Sequence, residues 1–176
     1  MQTLKNILDV EYIKKHTPNL RGLKVSLRKS KTKGTSLYAR KNIRKNEVIA
    51  YYKITIYSYS NFVSRTKNVY TFTVNTKSDN YSRVLIGDIS EDSLEPPSKG
   101  IPYWGYFANE PSGDQEGNAF IDTNIKENYK NRSRVVPGDT MIYKLRASKS
   151  IKAGEEITWC YGSSYGRNYV PNCDLD

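Results

Sequence analysis

Residues that bind metals or build crosslinks are scarce in this chain. Its 176 residues include two cysteines, Cys160 and Cys173, and one histidine, His16. Two cysteines at this spacing make neither a disulfide framework nor a zinc site. One histidine adds too little for metal chemistry, so no metal site is expected. A reduced, intracellular setting, nucleus or cytoplasm, is the default. No run approaches the roughly 18 apolar residues needed to span a bilayer, so no membrane partner is expected. The opening "MQTLKNILDVEYIKK" carries Lys5, Asp9 and Glu11 inside its apolar pattern, so this stretch is not expected to be a secretory h-region. Internal repeats and low-complexity tracts are also absent. Acidic residues are missing between Arg21 and Lys45, where ten Lys or Arg stand, within a chain of net charge +10. Such a run reads either as a solvated basic face or as a surface for non-specific nucleic-acid contact.

What remains is polar overall, with a mean hydropathy of −0.72, yet carries 15 tyrosines and many Val, Ile and Leu. That is enough apolar matter for one domain with its own core. Leu4, Ile7, Leu8, Tyr12 and Ile13 fall on one face of a short helix, closed by Pro18 and Gly22. "LKVSLRKS", "SLYA", "EVIAYYKITIY", "NVYTFTVN", "SRVLIGD", "NAFIDT" and "TMIYKLRASKSI" read as strands. In "NVYTFTVN", Tyr70, Phe72 and Val74 share a side. "EDSLEPPSKG", with Pro96 and Pro97, reads as a loop. "YWGYFANE" suggests a helical turn. The pattern predicts a mainly β domain of several small sheets with short helices.

Three segments are candidates for chemistry. "KGTSLYARKNIRKNEVIAYY" places Gly34 before a short aromatic strand, where the backbone either approaches a ligand or simply turns a hairpin. "YWGYFANEPSGDQEGNAFID" runs an aromatic cluster into Asn109, then a Gly-rich loop, then Asn118. Two such amides suit either a polar ligand or turns. "LRASKSIKAGEEITWCYG" reads as a strand, a turn at "KAGEE", and a short strand ending in Tyr161 and Gly162.

In this order the three segments resemble the SET domain of protein lysine methyltransferases, from about Val25 to Tyr169. "GTSLYARKNIRKNEVIAYY" is similar to that family's opening Gly-x-Gly motif, "YFANE" with "NA" to its Asn-His-Ser-Cys-x-Pro-Asn segment, and "RASKSIKAGEEITWCYG" to its closing motif. The resemblance implies a single domain over 1–176. A helical flank occupies 1–22, the first SET part 23–57, a variable insert 58–100, the second part 101–163 and a post-SET-like tail 164–176. It also implies a pseudoknot where "YFANE" meets "CYG". The implied activity is methyl transfer from S-adenosyl-L-methionine to a lysine of a histone or another protein, with S-adenosyl-L-homocysteine as product. A SET-like binding or scaffold module without catalysis is the alternative.

Carried over residue by residue, the resemblance assigns Gly34, Thr35, Ser36, Leu37 and Tyr38 to the cofactor's methionine part and Asn109 to its polar end. Glu110 would meet the adenine through its backbone. Tyr161 is the implied catalytic residue, also at the cofactor, and Tyr165 or Tyr169 is the tail aromatic that covers it. Tyr106, Ile121 and Trp159 are implied walls of the substrate channel. The sequence departs from the family at Ser36, where the second glycine stands, and at Glu110, where the histidine stands. It also lacks the cysteines of a zinc-binding post-SET cluster. Asp88 and Asp122 are read as structural strand ends. Glu155 and Glu156 belong to a turn and carry no catalysis.

Overall fold

A period of two in side-chain burial organises the molecule. In the strand Thr140–Ala147, Met141, Tyr143, Leu145 and Ala147 are buried and the residues between them are not. That is the alternation of a sheet with one face on the core. The structure is a computed structural model that describes residues 8–30, 32–63, 71–74, 85–90, 100–123, 135–163 and 165–174.

The described strands are β1 (Val25–Ser30), β2 (Gly34–Ala39), β3 (Val48–Ser58), β4 (Thr71–Val74), β5 (Leu85–Ile89), β6 (Ala119–Asp122) and β7 (Thr140–Ala147). β1 and β2 form an antiparallel hairpin in which Val25 faces Ala39 and Ser30 faces Gly34. The other five make an antiparallel sheet in the order β4-β5-β3-β7-β6. β3 is its spine, pairing β7 along most of its length and β5 from Ile54 to Ser58. An irregularity between Val48 and Ala50 lets the adjacent Ile49 and Ala50 both bury, after which strict alternation resumes at Tyr52, Ile54 and Ile56.

Two short helices complete the frame. α1 (Val10–His16) begins at Asp9, whose side chain accepts from the backbone N–H of Glu11 and of Tyr12, and it buries Ile13. Lys14, Lys15 and His16 lie in its last turn, where cations suit the helix dipole. α2 (Tyr59–Val63) follows β3 directly, a helix the sequence patterns do not predict. The predicted turn near "YWGYFANE" is a 3-10 turn at Gly105–Phe107. Leu4, Ile7, Tyr70, Pro96 and Pro97 lie outside the described residues.

The 3-10 turn is seated against β3. Tyr51 N–H donates to Pro102 O at 2.8 Å, so residues 101–107 take the flank of β3 that β5 does not reach. Gly105 is what allows the approach. A Cβ there would lie 2.3 Å from Tyr52 Cδ2 and 3.0 Å from the Tyr51 carbonyl oxygen. Gly105→Ala therefore forces the Tyr52 ring aside and is expected to destabilise the protein by about 1–3 kcal/mol, measured as a shift of the urea midpoint at unchanged slope. A midpoint equal to that of the parent protein would show that the ring yields freely.

Candidate functional site

The closing motif is predicted as a strand, and here the structure corrects the prediction. Residues 155–161 form only isolated bridges, Tyr38 with Glu156 and Asn109 with Thr158. They are held instead by stitches from two sides. On one side lies β2: Ala39 N–H donates to Glu155 O at 2.9 Å and Ile157 N–H to Leu37 O at 2.8 Å. On the other side Trp159 N–H donates to Asn109 O at 3.1 Å, and the N–H groups of Asn118 and Ala119 donate to Thr158 O, each at 3.0 Å. The Asn118 side chain spans the same gap. Its Nδ2 donates to Glu156 O at 2.8 Å and its Oδ1 accepts from Thr158 N–H at 3.0 Å. The segments 107–110 and 157–161 thus run side by side, as the expected meeting of "YFANE" and "CYG" requires.

Tyr161 leaves this seam and enters a cavity of about 570 Å³. Its hydroxyl donates to Ala108 O at 2.8 Å. Burial, reinforced by the neighbouring Tyr52, Tyr169, Tyr165 and Glu110, raises its pKa far above the ordinary phenol value. The hydroxyl is therefore a neutral group with a committed proton. Around it the aromatic walls interlock. Trp159 lies 4.9 Å from Tyr161 and Tyr165 lies 4.8 Å from it, centroid to centroid. Phe72 stacks on Trp159 at 6.2 Å, and Trp159 Nε1–H donates to Tyr52 Oη at 3.2 Å. Tyr106, almost fully buried, also lines the cavity.

The polar end is built from three segments. Asn109 Nδ2 donates to Thr35 O at 3.2 Å and to Ser36 Oγ at 2.7 Å. The Ser36 hydroxyl, fully buried, thereby ties β2 to Asn109 where the family glycine would offer none. Lys33 Nζ donates to Glu110 O at 2.9 Å, to Gln115 Oε1 at 2.8 Å and to Glu156 Oε2 at 3.4 Å. Glu110 is buried, and its carboxylate meets Arg167 and Tyr169 of the tail. Those bonds raise the already high pKa of Arg167. Burial first, then the bond to Glu110, pushes the Tyr169 phenol up to about 12.

Asn109, Glu110, Tyr106, Trp159, Tyr161, Tyr165 and Tyr169 thus share one cavity. Gly34, Thr35, Ser36, Leu37 and Tyr38 do not line it. Leu37 is fully buried, Tyr38 lies under the Arg28 guanidinium at 4.9 Å, and the strand contributes through its backbone and Ser36. Gly34 sits at the start of that strand with φ +73°, in the left-handed region glycine favours. Ile121 does not line this cavity; it lines a second depression of about 660 Å³, with Phe120, Cys160 and Cys173. Trp159 is common to both linings. β6 carries Ile121 at the far end of the sheet from β4, which brings Phe72 to the cavity instead.

Lys33, Tyr52, Phe72 and Arg167 were not among the predicted site residues. Only Lys33 had a signal, its place directly before Gly34. Asp122 pairs with Arg146 at 2.7 Å and Glu155 accepts from Lys152 N–H, both as structural expectations had them. The cysteines are a correction. Cys160 and Cys173 form a disulfide across 13 residues, because the tail folds back over the 110–115 loop. Asn172 N–H donates to Pro111 O and Asn172 Nδ2 to Gln115 O. Among the described residues no helix is long and apolar enough to cross a membrane.

Comparison with known proteins places this arrangement. The SET domain family matches residues 34–162, well over half of the chain, and the chain belongs to that family. The mainly β architecture of small antiparallel sheets fits that family. Among solved structures, the chain is similar to a candidate histone methyltransferase of Plasmodium falciparum. That match has 17% identity and a TM-score of 0.47, and covers 81% of this chain and 96% of the other. No curated protein matches the chain significantly in sequence.

Two outcomes follow for the seam and the cavity. Asn118→Ala strips partners from two backbone groups of residues 156–158 and is expected to destabilise the fold by about 1–3 kcal/mol for each group left buried, as read by denaturant unfolding. Tyr169, at about 12 when folded against an ordinary 10.0, gives stability that is present below pH 10 and lost as pH rises toward 12. Tyr161 acts in the same direction. The thermal midpoint should fall across that window, and Tyr169→Phe should flatten the fall; a level profile would contradict the Tyr169–Glu110 bond described here.

Proposed function

We propose that this protein is an S-adenosylmethionine-dependent protein lysine N-methyltransferase acting on a histone or another protein lysine. The observation that carries the reading is Tyr161: a part-buried, neutral hydroxyl in an aromatic cavity, its proton donated to Ala108 O.

The cavity fits the cofactor. Its volume of about 570 Å³ falls in the ordinary range for small-molecule sites. Lys33 brings a cation to the lining, with its three protons already engaged by Glu110 O, Gln115 Oε1 and Glu156 Oε2. Asn109 commits Nδ2 to β2, which leaves Oδ1 to accept from a ligand amine. Tyr165 and Tyr169 offer faces for a purine. When bound, S-adenosylmethionine supplies an electrophilic methyl on a sulfonium and becomes S-adenosylhomocysteine.

The protein's own part is to prepare the amine. A free lysine has a pKa of about 10.4, so an amine nucleophile needs the charged form disfavoured. Ring faces attract a cation by roughly 0.5–2 kcal/mol. Desolvation by the same walls shifts a buried amine by up to about 3–5 pKa units, several times more. Desolvation therefore wins, and Tyr52, Phe72 and Trp159 favour the neutral amine. The Tyr161 oxygen, its proton already placed, accepts from an amine N–H and aims the lone pair. Orientation of this kind is worth up to about 7–11 kcal/mol of barrier. No phenolate base is involved, because the raised pKa keeps Tyr161 protonated.

A binding or scaffold module that does not catalyse is the second reading, favoured by Glu110 and Ser36 standing where the family has histidine and glycine. Part of the basic run is already engaged: Lys24 pairs with Glu47, Lys33 with Glu156, and Arg40 donates to Leu20 O. We propose nucleic-acid contact by the remainder only as an accessory property; such binding would fall steeply with salt. Tyr161→Phe should keep calorimetric affinity for S-adenosylmethionine within a few-fold. It should lose about 10²-fold or more of methyl transfer from labelled cofactor to histones and whole-cell extract. Unchanged transfer would remove Tyr161 from the chemistry. Absence of cofactor binding by the parent protein would favour the scaffold reading.

A further inference from the structure

Glu110 is only 2% exposed, yet it carries a carboxylate. Four donors converge on it. Oε1 accepts from Tyr161 N–H at 2.9 Å and from Arg167 Nη2 at 2.8 Å. Oε2 accepts from Arg167 Nε at 2.9 Å and from Tyr169 Oη at 2.8 Å. All four come from the chain beyond the closing seam. The guanidinium engages both oxygens as a fork, the geometry in which an ion pair is strongest and most directional. A buried carboxylate without such partners would be expelled or neutralised.

The contacts close a circuit around the cavity. Arg167 Nη2 also donates to Gly162 O at 2.8 Å, and its guanidinium lies 5.3 Å from the Tyr165 ring centre. Tyr165 in turn stands edge-on to Tyr161. From Glu110 one path reaches Tyr161 directly through its backbone N–H, and another reaches it through Arg167 and Tyr165. Both set the attitude of the same phenol. The tail has separate anchors in the Cys160–Cys173 bond and in Asn172, so removing the charge would not release it.

We propose that Glu110 is a positioning residue for the methyl transfer: its buried charge, clasped by Arg167, holds Tyr161, Tyr165 and Tyr169 in one constellation. The proposal rests on reading the cavity as the cofactor and amine site. It gives the replacement of the family histidine a function of its own.

The test compares Glu110→Gln, Arg167→Met and Arg167→Lys by hydrogen exchange without ligand and by calorimetry with S-adenosylmethionine. Glutamine keeps one acceptor and turns a donor toward donors. Lysine keeps the charge and loses the fork. Glu110→Gln and Arg167→Met should speed exchange over residues 161–169 and weaken S-adenosylmethionine binding, each by about ten- to a hundredfold, the range for losing a charge-assisted hydrogen bond. Arg167→Lys should recover part of both, and exchange in β3 and β7 should not change. Exchange and affinity equal to the parent in Arg167→Met would overturn the proposal. So would faster exchange spread evenly over the chain, the mark of a merely structural role. Should Glu110→Gln fail to fold, the two Arg167 variants decide. A parent protein that binds no S-adenosylmethionine defeats the cofactor reading, while the exchange comparison still passes judgement on the clasp.

Discussion

The seam at residues 155–159 is the constraint on which the rest of the site depends. This segment has no ladder of its own, so each buried backbone group needs a partner from elsewhere. β2 supplies them through Leu37 and Ala39, and the 109–119 loop through Asn109 and Asn118. Both suppliers are themselves fixed, β2 by β1 and Asn109 by its bonds to Thr35 and Ser36. Three sequence-distant pieces are thereby locked into one cross-section. Trp159, Cys160 and Tyr161 emerge from it in succession and inherit its position. The aromatic cavity, the disulfide and the tail are all downstream of this one piece of hydrogen bonding.

The electrostatics follow the same economy. The lining of the cavity includes a cation at Lys33 and an anion at Glu110, both with partners of opposite charge, and is otherwise aromatic, neutral polar or, at Val170, aliphatic. Low polarity around Tyr161 is what keeps its proton, and the same low polarity demands that Glu110 be fully satisfied. One environment thus imposes a neutral phenol at Tyr161 and a clasped carboxylate at Glu110, joined by a single hydrogen bond from the Tyr161 backbone. The basic run on the hairpin side is a less uniform field than its composition suggests, because some of its charges are turned inward to bonds.

Much of the architecture was legible because strands write their burial with a period of two. β1, β3, β4 and β7 were recognisable from local sequence, and the irregularity at Ile49 and Ala50 did not hide β3. The three motifs, in order, pointed to Asn109, Glu110, Tyr161 and the tail aromatics, which do share a cavity. What could not be read was non-local. The closing segment has strand-like residues but finds its partners in two different places, so it forms bridges and no strand. Ile121 and Phe72 each sit on a plausible inward face. Only the strand order decides which reaches the cavity. Arg167 looks like an ordinary tail charge until Glu110 is brought beside it. Cys160 and Cys173 have no readable spacing signal, since their pairing depends on how the tail turns back.

The disulfide has a consequence for how tail and cavity meet. It turns residues 160–173 into a covalent ring whose base is the seam itself. Arg167 and Tyr169 sit on that ring, so their encounter with Glu110 is not the docking of a free end but an intramolecular association at high effective concentration. Contacts too few to capture a loose tail are then sufficient to keep it seated. In this molecule a tether of two sulfurs sets the odds that the cavity has its wall.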